Sequence, residues 1–412
     1  MPLNRRSAAL AQEVAQVEAA GTAKGHEKVV TEVIPASGDR GPRYRLAGFG
    51  EREFIRMNSN SYLGLTHREE LKSAADRAAH RYGAGPGGVR FICGTCQVHT
   101  ELEESLARFH GREACMLTSS AYTTVVGTIF CLTTPETGII SDALNHNSII
   151  NSVRWSHPKL RKVYPHADVN ALERQIQECE GQVQGLIVVT DGIFSMRGAV
   201  APLKEIGEVV ARYDERFPQN IVLIVDDSHG VGGFGPTGRG TEEYCRSGPS
   251  DVLIGTLGKA FGVNGGYVVS SGAVISFLRE KNPLYIYTNP ITPAESAAAL
   301  ASLHLLDSPA GAALLKRLRE NIAPFRQGLK SMGYESLESE HPVVPLFVRD
   351  TEKTTALVKF LLDHGVLATG LNFPIVPRGD QLVRFQVSAE HSRSDIDYVL
   401  ELLDQFKPQL AG

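Results

Sequence analysis

Short apolar runs punctuate the middle of the chain. They fall at 116–119, 138–141, 186–190, 221–226, 251–255 and 266–270. Val, Ile and Leu fill consecutive positions there rather than alternate ones, which is the pattern of strands buried on both faces. Between them, stretches at 123–131, 147–154, 170–180 and 203–213 read as helices. Strands alternating with helices predict a mainly parallel sheet covered on both sides. Ligands should gather at the carboxyl ends of its strands.

The flanks follow other patterns. Leu71, Ala74, Ala75, Ala78 and Ala79 make one helical stripe. Leu102, Leu106 and Phe109 make another, with Gly111 placed as its C′ residue. Leu10, Val14 and Val17 predict an amphipathic N-terminal arm. Residues 26–56 are irregular, with turns marked by Pro35, Gly38, Gly41 and Pro42 and two short strands beside them. From 292 a long helical region runs to about 332, followed by a strand at 343–348, a helix at 351–364 and strands near Leu367 and at 382–387. A last helix carries Ile396, Val399, Leu400, Leu403 and Phe406, with Ser394 as its N-cap. The expected organisation is an N-terminal arm and small-domain segment (1–56), a large domain (57–291) and a C-terminal α+β domain (292–412).

Composition narrows the class. The chain has 412 residues, 42% apolar and 21% charged, as in a large globular protein. A net charge of −4 gives no basic surface for nucleic acid or an anionic membrane. No apolar run is long enough to span a bilayer. Arg5 and Arg6 lead into Ala, Gln and Glu, which is not a signal-peptide pattern. Six scattered cysteines fit a reducing cytoplasm. Cys93 and Cys96 form a C-x-x-C without a second pair, and Gly83, Gly85 and Gly88 match G-x-G-x-x-G but follow a helix instead of a strand. Neither reads as a zinc, redox or dinucleotide site.

The chemistry concentrates at strand ends. Gly255-Thr256-Leu257-Gly258-Lys259-Ala260-Phe261-Gly262 places one lysine in a glycine-rich crease between two apolar strands. Desolvation favours the neutral, nucleophilic amine, which can join a carbonyl or pyridoxal phosphate (PLP) as a Schiff base. An exposed loop lysine is the bland alternative. Val225-Asp226-Asp227-Ser228-His229-Gly230 ends the most hydrophobic strand. A buried Asp226 would keep a pyridine nitrogen protonated, and His229 could hydrogen-bond the phenolic oxygen of such a ring. No further ligand cluster supports a metal there. His146 follows another strand and could stack on a flat cofactor. Ser119-Ser120-Ala121-Tyr122 precedes a helix, so backbone N–H groups of small residues could hold a phosphate, with the Thr256 hydroxyl beside them.

These pieces come in the order of a known family. With Asn60-Ser61-Tyr62-Leu63-Gly64-Leu65, Val89-Arg90-Phe91-Ile92-Cys93-Gly94-Thr95, Thr190-Asp191-Gly192-Ile193-Phe194-Ser195-Met196 and Phe373-Pro374-Ile375-Val376-Pro377, the chain resembles the α-oxoamine synthases over about 57–392. Within them it most resembles the glycine C-acetyltransferase (2-amino-3-ketobutyrate CoA ligase) branch. The resemblance implies a fold-type I PLP transferase, with a mainly parallel seven-stranded sheet in the large domain and a smaller α+β C-terminal domain. It implies condensation of glycine or a small L-amino acid with an acyl-CoA, giving an α-amino ketone or 2-amino-3-keto acid and CoA. It implies Lys259 as the Schiff-base lysine, Asp226 at the ring nitrogen, His229 at O3′ and His146 as the stacking ring. Ala121, Tyr122 and Thr256 would hold the phosphate, Ser195 would lie near the ring, and Thr288-Asn289 would reach the phosphate of a neighbouring subunit. Arg384 would clamp the substrate carboxylate, assisted by Asn60. A cytoplasmic homodimer with shared active sites follows. Thr124, Val125, Arg197, Asn372 and Pro86 depart from the family's usual residues and are expected to border the acyl and amino-acid pockets. A PLP-dependent aldolase on β-hydroxy amino acids and a non-catalytic companion subunit are the competing readings.

Overall fold

Strand Ile221–Asp226 is the hub of the fold. In the computed structural model, which describes residues 3–19, 23 and 27–411, it lies at the middle of a seven-stranded sheet. The strand order is Ala114–Thr118, Gly266–Ser270, Val252–Thr256, Ile221–Asp226, Gly185–Asp191, Thr137–Asp142, Leu160–Tyr164. All neighbours are parallel except Gly266–Ser270, which runs antiparallel to both of its partners. Every residue of Gly185–Asp191 and of Val252–Thr256 is buried, as the unbroken apolar runs predict for two covered faces.

Helices supply the cover. Val125, Ile129, Ile149 and Val153 from helices Ala121–Leu132 and Asn147–Trp155 join Ile187, Val189, Ile224 and Ile254 of the sheet in one apolar cluster. Helices Val169–Cys179 and Leu203–Tyr213, outside that cluster, pack against strands Thr137–Asp142 and Ile221–Asp226. The strands and helices predicted for the large sheet are present with ends moved by at most two residues. Segment 26–56, expected to be irregular beside two short strands, holds three. Leu160–Tyr164 is the strand of the large sheet not anticipated. It is a sheet edge with an alternating exposure pattern, so it lacks the solid apolar run of its neighbours.

The chain divides into two units. One is Asn60–Glu320 with Ser339–Pro342, and the other is Met1–Ser59, Asn321–Glu338 and Val343–Gly412. The divisions thus fall at 59/60 and 320/321 rather than at 57 and 292. Helix Pro293–Leu306 explains the second difference, because it packs on helices Glu69–Tyr82 and Gln97–Phe109 of the larger unit. The smaller unit holds a four-stranded sheet (Val30–Ile34, Arg43–Leu46, Glu53–Arg56, Val366–Leu367) and a three-stranded sheet with Leu382–Gln386 at its centre. The N-terminal arm is a helix, Asn4–Ala19, and Leu10, Val14 and Val17 are exposed on it. The last helix begins at Arg393, so Ser392 rather than Ser394 stands before it. The Ser392 hydroxyl accepts from Asp395 N (3.1 Å), while Ser394 donates to the Asp39 carbonyl.

Asp227 anchors the turn beyond the central strand. It is fully buried and accepts from the backbone N–H and the hydroxyl of Thr241. Burial pushes its carboxyl up to about 7 in spite of these bonds. Folding therefore takes up a proton at Asp227 between the ordinary carboxylate range and pH 7. The stability linked to that proton is complete at low pH and is lost as pH rises through about 7. Asp227→Asn should flatten that part of the profile, gaining on the parent by about 1–2 kcal/mol between pH 5 and 7. Paired urea unfolding curves at the two pH values measure it.

Candidate active site

The parallel strands end together, and residues at and just beyond their ends line one cleft. Asp226 pairs in register with Asp191 on one side and Ile254 on the other. Asp226 (5% exposed) and Asp191 (4%) are both buried. A cleft of about 360 Å³, open mouth included, lies at these ends. Its walls include seven predicted residues: Ala121, Tyr122, His146, Ser195, Asp226, His229 and Lys259.

Local structure aims each group. Asp226 turns to the cleft while Asp227, one residue on, turns to Thr241, as strand alternation requires. Ser228 donates both its backbone N–H (3.1 Å) and its hydroxyl (2.6 Å) to Asp226 Oδ1. His229 Nδ1 lies 2.6 Å from the Tyr62 hydroxyl. His146 caps helix Asn147–Trp155, its Nδ1 accepting from Ser148 N (3.2 Å), and its backbone N–H donates to Asp191 Oδ2 (2.8 Å). The residue is open to solvent, yet the protein packed around its ring holds its pKa below the ordinary value. The Lys259 charge adds to this effect and Asp226 opposes it. Burial raises Asp191 well above the carboxylate range, and neighbouring Asp226 raises it further.

Lys259 sits on the loop joining Val252–Thr256 to Gly266–Ser270. The Thr256 hydroxyl ties the root of that loop, donating to Gly265 O (3.2 Å) and accepting from Gly258 N (3.1 Å). Ala121 and Tyr122 open helix Ala121–Leu132, where first-turn N–H groups have no intrahelical acceptor and favour an anion. Gly266 makes this turn accessible to the sheet. A Cβ there would lie 2.5 Å from Ala121 N and meet the Thr124 hydroxyl.

Other predicted residues stand elsewhere. Thr256 serves the loop and is not among the cleft walls. Thr288 donates to the Leu284 carbonyl and Asn289 is exposed, both outside those walls. Asn60 is 3.4 Å from the Tyr62 hydroxyl, one step back from the cleft. Arg384 belongs to the smaller unit, on strand Leu382–Gln386, with its backbone paired to Pro345 and Thr369. Thr124 and Val125 do not border the cleft. Both are core residues, with Thr124 donating to Ser120 O. Asp191, Ser148, Ile193 and Ser228 line the cleft without having been singled out. For Asp191 the signal was available, because it ends an apolar strand just as Asp226 does.

Comparison with known proteins follows from this geometry. Aminotransferase class I and II matches residues 52–403. The chain belongs to that family. It is 38% identical over 360 residues to 8-amino-7-oxononanoate synthase of Thermosipho melanesiensis, covering 87% of this chain and 90% of the relative. The same enzyme of Geobacter metallireducens is 39% identical over 368 residues, covering 89% and 91%. Among solved structures, serine palmitoyltransferase of Sphingomonas wittichii superposes with a TM-score of 0.88 at 27% identity, covering 99% of this chain and 98% of that one. Within the family the chain is thus an α-oxoamine synthase with the fold-type I architecture. The relatives named are 8-amino-7-oxononanoate and palmitoyl-transferring enzymes, so the glycine C-acetyltransferase branch gains no support from them.

The family is PLP-dependent, and the residues present fit that cofactor. A helix N-terminus, a buried carboxylate and a lysine share the walls of one cleft. Gly266→Ala would displace the first turn of helix Ala121–Leu132. Overpacking of this kind costs about 1–3 kcal/mol, so affinity for inorganic phosphate and for PLP should each fall about tenfold or more. Equilibrium dialysis of the parent and variant measures both.

Proposed function

We propose that the chain joins an amino acid to an acyl-CoA through PLP-dependent acyl transfer. The observation that carries the reading is the meeting of Lys259, Asp226, His229 and His146 around one cleft. Lys259 would hold the cofactor covalently, Ala121 and Tyr122 its phosphate, Asp226 the proton on its ring nitrogen, and His229 its phenolic oxygen. When bound, PLP supplies the electron sink that makes an amino acid's α-proton removable.

The chain's own groups do the rest. Asp226, fixed by both donors of Ser228, holds a proton at the ring nitrogen without needing to move. Released once the substrate's own amine has taken its place, the Lys259 amine would take the α-proton from the substrate. His146, which lines the cleft and is disfavoured as an imidazolium, would stack its ring on the cofactor. His229 can donate to oxygen where negative charge develops. Arg384, with a planar guanidinium suited to a carboxylate, would orient the amino acid, assisted by Asn60.

The relatives' names favour the same class. Serine palmitoyltransferase names an amino acid and an acyl group, and 8-amino-7-oxononanoate carries an amine beside a ketone, the pattern left when an amino acid's α-carbon is acylated. Nothing comparable favours the aldolase or the companion subunit. A homodimer would explain why Thr288 and Asn289 stand outside the cleft walls of their own chain. Exposed Phe91, Ile92 and Tyr287 (76%) offer apolar surface for it. Six free cysteines suit a cytoplasmic setting.

Glycine, L-alanine and L-serine, each tested with acyl-CoAs of increasing chain length, should separate the substrates. At least one pair should release free thiol in step with a new amino-ketone mass. Lys259→Ala should lose turnover by about a thousandfold or more and should release PLP on gel filtration. A variant that kept both would remove Lys259 from its role.

A further inference from the structure

We infer that Tyr62 is a positioning residue that fixes His229 as an Nε2–H donor, with His341 bracing the pair. Tyr62 is completely buried, and its hydroxyl lies 2.6 Å from His229 Nδ1. A phenol is a stronger donor than a neutral imidazole N–H, and an imidazole nitrogen is a stronger acceptor than a phenol oxygen. The proton on this short line therefore belongs to Tyr62. Nδ1 is the acceptor, so the neutral ring carries its proton on Nε2. Asn60 Oδ1, at 3.4 Å from the Tyr62 hydroxyl, is too distant to compete with Nδ1.

His341 completes the arrangement from far along the chain. It is fully buried, and its Nε2–H donates to the His229 carbonyl (3.0 Å). Its ring meets Tyr62 edge-on, with centroids 5.4 Å apart and planes at 80°. Backbone and side chain of His229 are thus gripped from two directions. Tyr62 and His341 are not among the cleft-lining residues, whereas His229 is. Their effect reaches the site through a ring that can donate to, but not accept from, an oxygen at Nε2. This goes with the reading of His229 as partner to the cofactor's phenolic oxygen, and it rests on that reading where PLP is the probe.

The test uses the full-length holoenzyme. Nitrogen-15 spectra of the histidine ring, assigned by the signals lost in His229→Asn, should show Nε2 protonated and Nδ1 unprotonated. In Tyr62→Phe, circular dichroism should be unchanged, Nδ1 protonation should appear, and the absorption band of bound PLP should shift. PLP should bind about tenfold more weakly, the scale of losing an outer-shell partner. In a His229→Asn background, Tyr62→Phe should add nothing to the loss of PLP affinity. A protonated Nδ1 in the parent would overturn the assignment. So would an equal further loss in the double variant, because Tyr62 would then act by packing alone. The ring spectra need no substrate, so failure of every amino-acid and acyl-CoA pair would overturn the proposed reaction and leave the tautomer result standing.

Discussion

Asp226 and Asp191 stand opposite each other at the ends of adjacent parallel strands, and neither has substantial access to water. Two like charges so placed repel, and each loses hydration. The surroundings must compensate locally or one carboxyl must keep its proton. The two carboxyls are treated unequally. Asp226 receives two bonds from Ser228. Asp191 receives the backbone N–H of His146, but burial and Asp226 still raise its pKa. The nearby Lys259 charge acts the other way. The polar end of the cleft is therefore a set of mutual compensations. Ser228 directs two donors at one carboxylate, while burial disfavours ionisation of the other.

The same strand end shows how backbone period sorts chemistry. Asp226 and Asp227 are adjacent in sequence, and alternation sends one to the cleft and the other to the scaffold. Asp227 spends its acceptors on Thr241, so the turn that carries Ser228 and His229 is held from behind. A one-residue slip of Ile221–Asp226 would exchange the two roles. Register is protected by burial on both faces and by six paired positions with Gly185–Asp191.

Much of this was legible in the chain. Solid apolar runs gave the buried strands, and the residues just beyond them gave Lys259, Asp226, His229 and His146, because a parallel sheet exposes its chemistry at strand ends. The edge strand Leu160–Tyr164 was not legible, since half exposure breaks the run that marks its neighbours. Helix Pro293–Leu306 reads as the start of a new domain, yet it packs back on the larger unit; local periodicity does not say which surface a helix covers. The bonds that the Thr256 hydroxyl makes to Gly265 and Gly258 were not legible, because they depend on how the loop folds back on itself. Tyr62 and His341 could not be found as partners of His229, because nothing in a sequence pairs positions 62, 229 and 341.

That last pairing bears on how the site is kept rigid. Ser339–Pro342 interrupts two segments of the smaller unit, yet it belongs to the larger one. Its Ser339 hydroxyl donates to Gly198 O, just beyond the turn that carries Ser195, and His341 donates to the carbonyl of His229. One short excursion of the chain therefore touches both the Ser195 and the His229 sides of the cleft's support. A buried carbonyl and a buried histidine are expensive to leave unpaired, so each secures the other. The precision of His229 then depends on three segments far apart in the chain. His229 faces the cleft, and the polar contacts behind it from Tyr62 and His341 constrain its ring and its backbone.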